Sequence, residues 1–226
     1  MPESKLQELW DELRMVLTGR GNIVDSILPP LVFVIVDAAA GFQPAIWSAL
    51  AIAGVFTIYR LARRQPPGYA LGGLAAVMLA ALVALILNRA EGFFLPNILT
   101  GGLTMLVCVV STVFGRPMVA WTSYVARRWP LAWYWHPSVR PAYSEVTLAW
   151  AVYFGLRLAL QWRFYQNQSV AMQAALNILT GWPATVVLLV ISYLYGTWRL
   201  RSLHGPSVGE FKRAAPPPWQ GQRRGF

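Results

Sequence analysis

Cysteine, histidine and acidic residues are all scarce in this chain, and each scarcity closes off a chemistry. The one cysteine, Cys108, sits in an apolar run, which leaves no partner for a disulfide within the chain and no thiolate cluster for a metal. The two histidines, His136 and His204, have neither a second histidine nor a carboxylate at ligand spacing, so no metal site is expected. Nine acidic residues are too few and too scattered for paired intramembrane carboxylates or two-metal lipid phosphotransfer. A glycine-rich phosphate loop and a serine nucleophile elbow are missing as well. The expectation is a protein with no catalytic residue and no cofactor, and not an enzyme.

What the chain has in abundance is apolar surface. It is 56% hydrophobic and 12% charged over 226 residues, more apolar surface than a soluble domain can bury, so lipid must cover the excess. The formal charge of +10 does not point to nucleic acid, because the basic residues sit in short clusters between apolar blocks rather than along one polar face.

A helix needs about 20 largely apolar residues to cross the hydrocarbon core, where every backbone polar group must be satisfied internally. Six segments qualify: Ile23 to Gly41, Phe42 to Leu61, Gly68 to Leu87, Phe93 to Phe114, Val146 to Trp162 and Val170 to Thr197. The first reads as a retained span rather than a cleaved leader, because the residues before it are acidic on balance and Asp37 interrupts its small-residue end. Of the 19 Lys and Arg, all except Arg89, Arg157 and Arg163 fall on one side of this arrangement. Both termini are therefore expected in the cytoplasm. The expected fold is an all-α integral membrane protein with six transmembrane helices arranged as three hairpins.

Each returning helix ends in arginine followed by proline, at Arg63-Arg64-Gln65-Pro66, at Arg116-Pro117 and from Arg199 to Pro206. The pentapeptide Asn-Ile-Leu-Thr-Gly occurs twice, at Asn97 to Gly101 and at Asn177 to Gly181. Ancestral duplication of a hairpin explains both patterns; so do positive-inside sorting, proline helix stops and low-complexity apolar sequence.

Three elements lie outside the spans. Residues 1–20 read as an amphipathic cytoplasmic helix, with Leu6, Leu9, Trp10, Leu13, Val16 and Leu17 at helical spacing behind Ser4 and Gln7. Its polar face is acidic, so it suits basic loops or a protein partner better than anionic lipid. Residues 116–142, within the 21–198 membrane domain, mix aromatics with arginines and read as an in-plane cytoplasmic element. Residues 199–226, with Pro216 to Pro218 and Arg223-Arg224, read as a disordered basic tail available to protein partners. On the same face Arg60, Arg63, Arg64, Arg127, Arg128, Trp129 and Trp133 are candidates for contact with anionic headgroups or a partner. Glu145 and Asp25 have Arg20, Arg60 and Arg140 as candidate ion-pair partners there.

The stretches Leu28 to Phe33, Arg60 to Pro66, Arg89 to Pro96, Arg140 to Tyr143 and Ala149 to Gln161 together resemble an uncharacterised actinobacterial multi-pass membrane family, domain of unknown function 3159, over roughly residues 20 to 198. More remotely, the proline-bearing first span and the run Leu148 to Phe154 resemble bacterial septation protein A, linked to cell division and envelope synthesis. The resemblance implies the bacterial cytoplasmic membrane as location and carries no catalytic residue over.

Asp37 lies about fourteen residues into the first span and Arg157 a similar distance into the fifth, so at about 1.5 Å per residue their depths nearly match. An unpaired charge near the membrane centre costs about 3 kcal/mol on insertion scales, which makes a buried partner or a wet cavity the expected solution. Tyr153, Arg157 and Gln161 share a stripe on the fifth helix; Asn97, Gly101, Thr104, Cys108 and Ser111 share one on the fourth; Arg89 and Glu91 sit in the outer loop between the third and fourth. These residues read either as an outward-facing polar site or as an ion-pair clamp and close-packing contacts. Two functions follow: an envelope or division-associated protein acting through contacts, or a small solute or ion transporter or channel using the region of Asp37 and Arg157.

Overall fold

In the computed structural model of the chain, residues 23–222 and 225–226 are described, and no strand occurs among them. The amphipathic helix expected over residues 1–20, with Arg20, lies outside the described residues, as does Arg223-Arg224. The chain divides into two compact units, Met1–Leu99 with Ala159–Ala184, and Thr100–Leu158 with Thr185–Phe226.

The first unit is built on helices α1 (Ile23–Ala40), α2 (Phe42–Ala62) and α3 (Pro67–Leu87), followed by a 3-10 turn at Ala90–Phe94. Proline and glycine set these boundaries. Gly41 takes φ +88 between α1 and α2, a backbone region that side chains disfavour. Pro67 occupies the first helical position of α3, where its missing N–H costs nothing, and Asn88 closes α3 in the left-handed conformation. Pro29 and Pro30 do not break α1, which runs through both. Alanines at 45, 49, 80, 81 and 84 are buried and let the helices approach closely. Phenylalanine fills what remains: Phe33 stacks on Phe93 at 4.2 Å, and Phe94 meets both edge-on. Ala174, from the short helix Val170–Leu179, completes this core.

Helix α4 (Leu95–Val113) follows the 3-10 turn, then α5 (Met118–Arg127), α6 (Leu131–Tyr134), the long α7 (Arg140–Gln166), α8 (Val170–Leu179), α9 (Trp182–Ser202) and α10 (Val208–Lys212). The sequence pattern places a span from Val170 to Thr197 with a kink at Pro183 beside Gly181, and the helix is interrupted there, at Thr180 and Gly181. Pro183 has no N–H for the carbonyl of Leu179, and its ring crowds that carbonyl.

Among the described residues four stretches are long and apolar enough to cross a membrane: Phe42–Ala62, Ala70–Leu87, Ala90–Val113 and, taken through its interruption, Val170–Ser202. α7 is long enough, but Arg157, Gln161 and Arg163 dilute its hydropathy.

The second unit's core is aromatic. Trp133, Tyr134 and Tyr143 are fully buried, with rings 5.1 to 6.2 Å apart in edge-on contacts. Burial raises the Tyr134 hydroxyl pKa above the ordinary value, and that hydroxyl lies 3.2 Å from the Ser123 hydroxyl in a hydrogen bond. The segment after α9, expected to be disordered, folds onto this core. The Trp133 indole N–H donates to the Pro206 carbonyl at 2.8 Å, the Phe226 ring stacks on Tyr143 at 4.4 Å, and Trp219 meets His136 edge-on. Proline and arginine composition suggested disorder. Scattered aromatics at 211, 219 and 226, which follow no helical period, supply the apolar area that orders it.

Ser207 and Glu210 hold the start of α10 in a capping box. The Glu210 carboxylate accepts from the Ser207 N–H and hydroxyl and from the Gln220 N–H, which lowers its pKa from 4.5 to about 2. A carboxyl held below its unfolded value stabilises the docked segment fully above about pH 4.5, and that contribution is lost as pH falls toward about 2. Cleavage of the 205–222 segment by an acid-tolerant protease should therefore rise across that window. Glu210→Gln should show the faster rate already at neutral pH and little further change on acidification.

Candidate functional site

The polar residues that the structure gathers in the first unit are carboxamides. Gln161, near the end of α7, is fully buried and donates both side-chain N–H groups, to Asn177 Oδ1 at 2.8 Å and to Asn97 Oδ1 at 3.3 Å. Asn97 opens α4 and Asn177 stands in the last turn of α8, so three helices meet at one side chain. Gln173, one turn before Asn177 on the same face of α8, is also fully buried and donates to the Gln161 backbone carbonyl at 2.9 Å. The two asparagines are the first residues of the repeated pentapeptide, and both turn toward Gln161.

This cluster is incompletely satisfied. Gln161 Oε1 and Gln173 Oε1 are buried and have no hydrogen-bond partner among the described residues. A buried acceptor without a donor costs about 1–3 kcal/mol, and here two occur on side chains joined by the Gln173 to Gln161 backbone hydrogen bond, which calls for an explanation beyond packing.

Of the site residues expected from sequence, Gln161 and Asn97 come together as part of this cluster. Asn177 was legible as a repeat position only, and Gln173 was missed, although their i, i+4 spacing on an apolar segment was the signal available. Thr104 takes no part: its hydroxyl donates to the Thr100 carbonyl of its own helix at 2.8 Å. Cys108 and Ser111 of that stripe serve contacts within the second unit: Cys108 Sγ lies 3.8 Å from Met118 Sδ, and Ser111 donates to the Cys108 carbonyl and accepts from the Met118 N–H. Tyr153 lies in an aromatic run with Trp150 and Phe154. Asp37 belongs to the first unit, where the charge of Glu91 acts on it, and Arg157 to the second. Arg89 is exposed in the turn before Glu91.

On the basic side, several residues expected to meet lipid or a partner are structural. Trp133 is fully buried, and Arg60 is 8% exposed in the α2–α3 hairpin, where Thr57 also donates to the Ala70 carbonyl. An arginine or tryptophan suits a buried hairpin as well as a headgroup layer, and composition does not separate the two. Arg127 stacks on Trp129 at 5.1 Å and donates to the Phe226 carbonyl. Arg63 lies over Tyr59, while Arg64 and Arg128 are exposed. Glu145, expected to pair with Arg20, Arg60 or Arg140, instead receives two hydrogen bonds of 2.8 Å from Arg199 in a forked pair and a third from the Tyr195 hydroxyl. The ion pair ties the start of α7 to the end of α9 inside the second unit.

No curated protein and no solved structure matches the chain. A family model does, over residues 17–201, a range that holds all four carboxamides and both copies of the pentapeptide. The chain therefore belongs to the family described as protein of unknown function (DUF3159).

Proposed function

We propose that this chain is a six-span protein of the bacterial cytoplasmic membrane, with both termini inside, that binds and passes a small solute or ion at the carboxamide cluster and carries out no catalysis. α1 and α7 are the two spans added to the four apolar stretches; the polar residues of α7, Gln161 among them, account for its weaker hydropathy. One observation carries the reading. Gln161 spends both its N–H groups on two asparagines from other helices while its own oxygen, and that of Gln173, stay buried without donors. Buried polar groups on membrane helices mark solute paths, and helix interruptions at corresponding positions of a repeat mark binding sites. The break at Thr180 and Gly181, three residues after Asn177, places an interrupted helix beside the cluster.

Flux measurements in proteoliposomes test it. The full chain should dissipate an imposed ion or solute gradient well above empty vesicles. Gln161→Leu, recovered at wild-type abundance, should cut that flux by about tenfold or more, the loss of one buried polar contact. A wild-type flux equal to that of empty vesicles would sink the reading.

A second reading, an envelope or division-associated protein acting through contacts, is favoured by the folded aromatic layer and its docked tail, which present Arg128 and Trp121 outward.

A further inference from the structure

The inventory of the carboxamide cluster defines what it binds, and we infer that Gln161 and Gln173 form a binding site for a dehydrated monovalent cation. This deepens the solute-handling reading and shares its site, but it concerns binding alone.

A carboxamide offers two N–H donors and one carbonyl oxygen. Both N–H groups of Gln161 are committed to Asn97 and Asn177, and Gln173 gives a hydrogen bond to the Gln161 backbone. What remains at the two fully buried side chains is the pair of oxygens, Gln161 Oε1 and Gln173 Oε1, neither with a donor among the described residues. An occupant must therefore present positive charge or hydrogen-bond donors, which excludes anions and acceptor-only solutes. α8 ends two residues beyond Asn177, so the negative end of its dipole and its last carbonyls lie at this end of the cluster and add to the preference for a cation.

The charge of the ion follows from the donor set. Calcium and magnesium sites rely on carboxylates to offset dehydration, and the hydrogen-bonded groups here are neutral amides. Neutral carbonyl oxygens at the end of an interrupted membrane helix suit sodium or potassium. A water molecule would also satisfy two acceptors, and it makes the opposite prediction about salt.

The purified full chain in nanodiscs should melt at a higher temperature, read by tryptophan fluorescence, in sodium or potassium chloride than in choline chloride of equal ionic strength, and the rise should saturate. Equilibrium dialysis with radioactive sodium or rubidium should show bound ion that unlabelled cation displaces and choline does not. Gln173→Leu should weaken that binding by about tenfold, the loss of one coordinating oxygen, and Gln173→Glu should tighten it and make it pH-dependent. Identical melting in all three salts with no bound isotope overturns the site in favour of water. A shift that follows the anion, or one retained in full by both Gln161→Leu and Gln173→Leu, overturns it too. The dialysis on unaltered protein decides the matter even where the leucine variants fail to fold. Bound ion without flux keeps the site and removes the transport reading; flux without bound ion or salt dependence does the reverse.

Discussion

Replacing Trp133 by alanine should destabilise the second unit by about 3–5 kcal/mol, the range for removing a fully buried tryptophan, and should release the chain from Gly205 onward. The indole is completely enclosed, touches Trp129, Tyr134 and Tyr143 edge-on, and donates its N–H to the buried carbonyl of Pro206. Alanine removes the packing and also leaves that carbonyl without its donor, a further cost of about 1–3 kcal/mol. Trp133→Phe separates the two effects, since it keeps most of the apolar volume and loses only the N–H. Thermal melting should rank wild type above Trp133→Phe above Trp133→Ala, and trypsin should cut at Lys212 and Arg213 fastest in the alanine variant. An alanine variant that melts with wild type and resists trypsin equally would show that the aromatic core does not hold the segment.

Trp133 also shows where sequence reasoning stopped. In residues 116–142 the alternation of tryptophan, tyrosine and arginine carries a headgroup-layer signature, and part of the element behaves that way: Trp121 and Arg128 are outward. The same residue types build a soluble-style core when a distant segment supplies the opposite face. That segment is Pro206 to Phe226, whose contacts depend on pairings across 73 and 99 residues that no local pattern encodes. Helix existence, by contrast, was legible almost everywhere, because lipid forces backbone hydrogen bonds to be local. The break at Gly181 was foreshadowed by Pro183, but a kink and an interruption differ only in tertiary support.

The carboxamide cluster lies between these cases. Gln161 stood out as a polar residue on an apolar helix, and the repeated Asn-Ile-Leu-Thr-Gly marked Asn97 and Asn177. Insertion scales penalise formal charge most heavily, which singles out Asp37 and Arg157 in the sequence. Neutral amides cost less to bury and leave a weaker signal, yet they are the groups that the first unit brings within hydrogen-bonding distance.

Gly92→Val should disrupt the first unit by about 1–3 kcal/mol or more, the usual cost of forcing extra volume into a packed site. Gly92 lies in the 3-10 turn after α3, with its N–H donated to the Arg89 carbonyl at 3.1 Å. A Cβ there would stand 3.0 Å from the Ala84 Cα and 3.4 Å from the Ala84 nitrogen, main-chain atoms of a fully buried residue that cannot swing aside. Relief must come from moving the turn away from α3, which pulls Phe93 off Phe33 and shifts Asn97, five residues on, relative to Gln161. The loss therefore extends from packing to the site. Gly72 supplies the contrast, because it is helical in α3 with nothing within 4 Å of its would-be Cβ. Gly72→Ala should stabilise by about 0.5–1 kcal/mol, since alanine outranks glycine in a helix interior. Both glycines look alike in an apolar sequence, and only the neighbouring backbone distinguishes them. Melting temperatures of Gly92→Val and Gly72→Ala that move in the same direction would refute the close approach of the turn to α3, and with it the placement of Asn97.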